Sequence, residues 1–360
     1  VPLHVSQSAA IEHFASYAKT RRANAQRTIA DILAMSNLEP AAFQRGMQNL
    51  RQHARVVLHF HPDRPNTKLQ TVAESLLECG IYQSQFQTLI SNGSVSAYPG
   101  GERDQWEQRL FGGAYHHPGT TAAHRPKYGA LDVLRHSDGP SPAFGSCYFV
   151  LAQPVSERAT FTYLDSHTEP PERGTLDELD DIVAAMFKDS FMRDFTLGQA
   201  NLRPGRLLEQ LLTRLPQPYE DASTRPPSRN LGHYIEAQVH GEVSLREDVE
   251  TLVIDPSFRG SALAQTLEAL CDRYEIVSRW HQGFRLSAVE VPNDFRGATM
   301  PSLAARVAVD GMLDAAAIGA AVLQLKRNPD AWADRGAVAH VLQELKLLWQ
   351  VLVRFGQPSE

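Results

Sequence analysis

The chain predicts an α+β protein with helical segments at its two ends and a β-rich middle. Three observations carry this reading. Apolar residues recur at helical intervals early (Ile11, Phe14, Ala15, Ala18; Ile29, Ile32, Leu33; Phe43, Met47, Leu50) and again late (Val341, Leu342, Leu345, Leu348, Leu352). Between these ends lie short runs of β-branched and aromatic residues bounded by turn formers. The composition, 42% hydrophobic and 21% charged, is that of a folded globular chain. The 360 residues suffice for a sizeable core, and they divide into a helical segment 1–53, an α+β core 54–300 and a helical segment 301–360.

In order along the chain, Pro40 suits the first turn of a second helix. Arg55–Phe60 is β-prone and is stopped by His61, Pro62 and Asp63. A helix from about Leu69 to Cys79 follows, with Gly80 as its C-cap. Residues 83–142 are rich in Gly, Pro, Asn and Ser and read as loops with short elements. Strands are expected at Tyr128–Leu134, Ser146–Leu151, Ala159–Tyr163 and Thr251–Ile254, and helices at Leu176–Lys188 and Ala262–Tyr274. Residues 214–230 resemble a linker, and Met312–Phe355 reads as two helices.

The formal charge of −6, from 35 basic and 41 acidic residues, argues against a general nucleic-acid binder. No apolar run approaches the ~20 residues that a membrane helix needs. The first residues lack the basic-then-apolar pattern of a secretory signal, so a cytoplasmic location, or secretion without a classical signal peptide, is expected. Cys79, Cys147 and Cys271 have neither disulfide-framework nor zinc-knuckle spacing.

The richest segment is Tyr234–Gly241. Ile235, Ala237 and Val239 alternate with Glu236, Gln238 and His240, the period-2 pattern of a half-buried strand. Such a strand sets a carboxylate, an amide and an imidazole in one row, which is either a catalytic edge or a solvated face. A second constellation is His59-x-His61, two imidazoles on one side of a strand end, with Arg64 close behind. That pair suits metal binding, as in amidohydrolase-type barrels, if His233, His240 or Asp255 complete the ligand set; a polar strand end is the plainer alternative. Ser91, Asn92 and Gly93 form a turn whose amides can hold a phosphate or carboxylate. Tyr128 beside Gly129 lets a ring cover a flat ligand while the backbone approaches it. Asp165 and Ser166 end a strand and either orient a ribose or make a turn.

The phrases His59–Arg64, Tyr98–Gly101, Leu110–Tyr115, Arg125–Gly129, Phe144–Tyr148 and Glu236–Gly241 resemble an uncharacterised bacterial family, a domain of unknown function, over about residues 55–285. More distantly, Tyr128 and Gly129, the run Arg158–Thr162 with Asp165 and Ser166, and the late Glu-x-Gln strand are similar to the ADP-ribosyltransferase superfamily, whose members include bacterial toxins and effectors. That resemblance implies a split mixed β-sheet core flanked by the terminal helices, and NAD as cosubstrate. It makes Glu236 the catalytic carboxylate, His59 or His61 the early-strand NAD holder, Arg64 a pyrophosphate contact and Tyr128 the ring against nicotinamide. Ser91 and Ser166 are loose substitutes for the family's Ser-Thr-Ser signature. Arginine-modifying members carry Glu or Gln two residues before the catalytic Glu; here Gln238 comes two residues after it, which leaves the target open. The acceptor is then a protein, nucleic acid or small molecule, with a host or immunity partner in the toxin case.

The chemistry gives these residues roles. Cleavage of the nicotinamide–ribose bond passes through an oxocarbenium-like state, and a carboxylate on the ribose 2′-OH stabilises that charge more than the ground state. Gln238 then positions the acceptor and His240 takes its proton. Two other readings stand beside this one: a metal-dependent hydrolase using His59 and His61, and a non-enzymatic module whose segments 1–53 and 312–355 bind a partner.

Overall fold

Six of the β-prone runs form strands, and two short ones that the sequence pattern does not mark join them. They are β1 (Arg55–Phe60), β2 (Lys127–Asp132), β3 (Cys147–Leu151), β4 (Ala159–Tyr163), β5 (Arg173–Thr175), β6 (Ile235–Val239), β7 (Val249–Ile254) and β8 (Val277–Trp280). The structure is a computed structural model, and it describes residues 2–66, 68–89, 97–219 and 225–359. The eight strands make one mixed sheet in the order β8-β7-β3-β1-β2-β6-β4-β5. Every pairing is antiparallel except β7 with β8. That parallel pair needs a crossover, which the helix Ala262–Tyr274 supplies.

One junction in this sheet is short. β1 and β2 pair only over Arg55↔Asp132, Val56↔Leu131 and Val57↔Ala130. Beyond that point Leu58, His59 and Phe60 continue on β3, while Lys127, Tyr128 and Gly129 continue on β6. The sheet is thus two four-stranded halves joined by three residue pairs, and a cavity opens where the halves part. Gly129 sits at the crossing. A Cβ there would fall 2.3 Å from the Val57 carbonyl oxygen and 2.6 Å from Leu58 Cδ2.

Helices cover the sheet. The first 31-residue helix, Val5–Met35, contains no Gly or Pro and runs unbroken from a capping box of His4 with Gln7. It buries Phe14, Ile29, Ile32 and Leu33 and packs on the helix Asp180–Arg193 and on β5. Pro40 opens the helix Pro40–His53 as expected. The helix after β1 starts later than its composition predicts, at Val72, because Thr71 caps it and Glu74 closes the box; Gly80 ends it at φ +68°. In place of Leu176–Lys188 the helix is Asp180–Arg193, since Leu176 and Leu179 pack in the core before it. The tail forms Ala315–Arg327 and Val338–Phe355. The main core is continuous from Ile29 and Leu50 through Phe149 and Ile235 to Leu345 and Val351. The apolar faces of both terminal segments thus pack largely within the chain itself. Among the described residues no helix is long and apolar enough to cross a membrane.

A second, smaller cluster corrects one expectation. The short elements expected among residues 97–125 are the helix Glu102–Leu110 and the turn Ala114–His116, which bring Trp106, Leu110, Phe111 and Tyr115 against Phe14 of the first helix. This roof lies over the polar row of β6, with Phe111 and Tyr115 on the His240 ring. β6 is accordingly a central strand between β2 and β4, buried on both faces rather than half-buried.

Gly129→Ala is expected to destabilise the fold by about 2–3 kcal/mol or more, the cost of overpacking against backbone that cannot step aside. Chemical denaturation of the two proteins measures it, and a loss below about 0.5 kcal/mol would mean the strands part without needing the glycine.

Candidate active site

The cavity at the parting of the sheet has a volume of about 520 Å³, in the range of small-molecule sites. Its walls come from five places. The end of β1 and the turn after it supply His59, His61 and Arg64; the start of β2 supplies Tyr128 and Gly129. The second half of the sheet supplies Asp165 and Glu236, the roof helix supplies Arg103 and Trp106, and the C-terminal helix supplies Lys346 and Gln350.

Glu236 is 6% exposed. The Ser166 hydroxyl and the Gln238 amide both donate to its Oε1, the latter at 2.9 Å. Ser166 is held in turn by Trp106, whose Nε1 donates to its carbonyl at 2.8 Å. Burial pushes the Glu236 carboxyl up to about 8, reinforced by the charge of Asp165 and only partly offset by Ser166, Gln238 and Arg103. A carboxylic acid poised near neutrality in a cavity is a functional candidate on physical grounds.

The other two members of the row do not reach the cavity. Gln238 and His240 are fully buried. Thr160 Oγ1 donates to Gln238 Oε1 at 2.8 Å, so its contact with His240 Nε2 at 3.0 Å has the imidazole as donor. That leaves His240 Nδ1 to accept from the Tyr115 hydroxyl. Burial lowers His240 to about 3, so the ring is neutral, in the Nε2–H form. The expected roles of Gln238 on an acceptor and His240 as a base are corrected here. Both belong to a buried hydrogen-bond chain, Tyr115–His240–Thr160–Gln238–Glu236, that orients the carboxyl from behind.

The structure also separates the two early-strand histidines. His59 uses both ring nitrogens: Nδ1 donates to Gly145 O at 3.2 Å, and Nε2 accepts from Ser141 N at 3.4 Å. Its pKa falls to about 3, mainly through burial. His61 lies edge-on to Trp349 at 5.0 Å and makes no side-chain hydrogen bond among the described residues; it is the one free to meet a ligand. The wider ligand set for a metal does not converge. His233 is held by Asp189 at 3.2 Å and by Leu197 N, His240 lies in the buried chain, and Asp255 caps Ser257 at 2.9 Å. Among the described residues no three His, Cys, Asp or Glu side chains are grouped to hold an ion.

Tyr128 lines the cavity with its ring 5.4 Å from Trp106, and its hydroxyl donates to buried Glu107 at 2.8 Å. The Arg103 guanidinium lies over both rings, at 4.8 and 4.9 Å. Ser91 and Asn92 lie outside the described residues. Sequence reasoning missed Arg103, Lys346 and Gln350, and placed Trp106 on a short helix as a stacking or packing ring. Of the three missed, Lys346 alone left a trace, as a lone charge inside the apolar run Leu345–Trp349.

Comparison with known proteins places the chain in a family described as "Protein of unknown function (DUF3626)", which matches residues 55–355. The chain belongs to that family. No curated protein matches it.

The raised carboxyl sets a sign for stability. Between the ordinary value of 4.5 and about 8 the folded chain holds a proton on Glu236 that the unfolded chain has released. This group therefore lowers stability as pH rises through that window, by up to about 1.4 kcal/mol per pH unit, and adds nothing further above it. Glu236→Gln lacks the titration. Its melting temperature is expected to gain on the wild type as pH goes from 5 to 8, and a constant difference would contradict a protonated Glu236.

Proposed function

We propose that the protein is an NAD-dependent ADP-ribosyltransferase with Glu236 as its catalytic carboxylate. The observation that carries this is the placement of Glu236, a buried carboxyl on a late strand, in a cavity opened by the parting of a mixed sheet. The split mixed core expected of that superfamily corresponds here to the two halves joined at Val57↔Ala130. His61 and Arg64 then stand at the early-strand position.

The cavity's chemistry fits NAD. Arg64 Nη1, Arg103 Nε, Gln85 Oε1 and Gln350 Oε1 are buried without a hydrogen-bond partner among the described residues, and all four residues line the cavity. Each such atom costs about 1–3 kcal/mol while unpaired, and a turn of its side chain into the cavity would bring it to a ligand. Arg64 and Lys346 offer cationic groups to a pyrophosphate, and Tyr128 and Trp106 offer ring surface to a base.

In the reaction, the electron pair of the nicotinamide–ribose bond leaves with the pyridine nitrogen, and C1′ takes a lone pair from the acceptor. Glu236, ionised, accepts a hydrogen bond from the ribose 2′-OH and stabilises the positive charge that develops on the sugar. Ser166 and Gln238 fix the carboxylate; His61 and Arg64 hold the dinucleotide against β1.

Nicotinamide release from NAD is expected from the wild type and is expected to fall about 10²–10³-fold in Glu236→Gln, the scale of losing one aligned electrostatic group. Undiminished release by the variant would sink the assignment. The ionised form does the work, so kcat/KM should rise with pH through a limb near 8. The positive charge of bound nicotinamide favours the carboxylate, so the kcat limb should lie at lower pH.

A further inference from the structure

We propose that the acceptor at this site is water, activated by Asp165, so that the protein hydrolyses NAD to ADP-ribose. This rests on the ADP-ribosyltransferase reading of the cavity. Enclosure is the first argument. The reacting carbon must sit beside Glu236, where Tyr234, Trp106, Ser166 and Arg103 are buried while Asp165 keeps part of its surface open. The C-terminal helix adds Lys346 and Gln350 to the wall. Water enters such a space far more readily than a side chain presented on another macromolecule.

The second argument is the presence of a proton acceptor in the right place. Asp165 follows β4 directly, lines the same cavity, and is near enough to Glu236 for its charge to act on that carboxyl. Its side chain is fixed at two points. Oδ1 accepts from His167 N at 2.8 Å, capping the short turn Ser166–Thr168, and Oδ2 accepts from the Tyr234 hydroxyl at 3.3 Å. A carboxylate has about four acceptor positions, so two remain for a water. His240, the base expected from the sequence, is sealed behind the sheet, which leaves Asp165 as the carboxylate beside Glu236 in the cavity wall.

The step balances without any further reactant. A water lone pair forms the bond to C1′ as the bond to the pyridine nitrogen breaks and its electrons leave with nicotinamide. The water proton passes to Asp165 and then to solvent, giving ADP-ribose, nicotinamide and one proton. Two carboxyl groups acting on one glycosidic bond, one on the sugar and one on the attacking water, is a general arrangement for glycosidic cleavage.

The two roles separate experimentally. Exchange of nicotinamide for an added pyridine base needs bond cleavage by Glu236 but no proton removal. Asp165→Asn keeps the turn cap, since Asn caps as well as Asp, and so does Asp165→Ser. At pH 9, above the Glu236 limb that the Asp165 charge helps to raise, hydrolysis by both variants is expected to fall about 10²–10³-fold, with exchange of nicotinamide for 3-acetylpyridine within about threefold of wild type. Glu236→Gln should lose both activities. Calorimetric binding of the uncleavable analogue carba-NAD should be unchanged in the Asp165 variants, and wild-type ADP-ribose formed in ¹⁸O-water should carry one solvent oxygen.

Parallel loss of hydrolysis and exchange, or weakened carba-NAD binding, would make Asp165 a structural or binding residue and overturn the proposal. Nicotinamide release without solvent oxygen in the product would overturn it too, leaving the transferase reading intact. If the wild type neither binds carba-NAD nor releases nicotinamide, that reading fails and the proposal falls with it.

Discussion

The short junction between β1 and β2 is the constraint on which the rest of the site depends. Antiparallel neighbours normally stay paired along their common length, because each unpaired backbone group in a protein interior is costly. Past Val57 and Ala130 each strand keeps only its other neighbour, β1 on β3 and β2 on β6. The edges turned toward each other there bound the gap, so a ligand in it lies against strand backbone. Gly129 is required because the strands still cross at contact distance there, with the Val57 carbonyl where a side chain would be. A site built on strand ends in this way has rigid walls, which suits groups that must be held to within fractions of an ångström.

Placing a carboxyl at the bottom of such a gap has a thermodynamic consequence. Burial disfavours the charged form of Glu236 more than Ser166, Gln238 and Arg103 together favour it. The free protein thus keeps the acid neutral at physiological pH, and a cationic ligand would release the proton on binding. The chain behind Glu236 adds no charge to this balance, because His240 is neutral and its tautomer is fixed by Thr160 and Tyr115. Its contribution is orientation. Because every member of a buried polar network must be satisfied, the carboxyl is tied to Tyr115 on the roof through His240, Thr160 and Gln238, and damage at any of them is transmitted to it.

How much of this was legible in the sequence depends on whether a residue's role is set by its own strand or by what packs on it. β1 and β4 were read with their observed limits, and four other strands to within a few residues, because alternation and bounding turns are local signals. β5 and β8 were missed, since Arg173–Thr175 is three residues of no distinct pattern and Val277–Trp280 is an exposed edge without a buried face. Glu236 was singled out as a carboxyl on a patterned strand, and the structure places it in the cavity wall. Gln238 and His240 share that face and looked equivalent, yet the roof formed by Trp106, Phe111 and Tyr115 covers the strand beyond Glu236. Nothing in residues 97–125 announces that they will close over it, because their Gly-rich composition carries a turn signal and their aromatics carry no periodicity. Arg103 and Gln350 enter the cavity through tertiary packing alone.

The arrangement of charge across the junction carries the last step. Arg64 belongs to the half containing β1, while Asp165 and Glu236 belong to the half containing β4 and β6. Lys346 reaches the same space from the C-terminal helix, which is anchored to the first half through Trp349 and the Pro142 carbonyl at 2.9 Å. A ligand with an anionic and a cationic end therefore bridges the halves, pairing its anion with Arg64 and its cation with Glu236. The sheet itself joins those halves by only three residue pairs, so a bridging ligand adds contacts where the sheet has fewest. Ligand that binds only the folded form stabilises it by mass action, and here the stabilisation acts across the same junction that creates the cavity. On the proposed binding mode, affinity and the spacing of the two sheet halves would be coupled, and a change in β1 or β2 away from the ligand would alter both together.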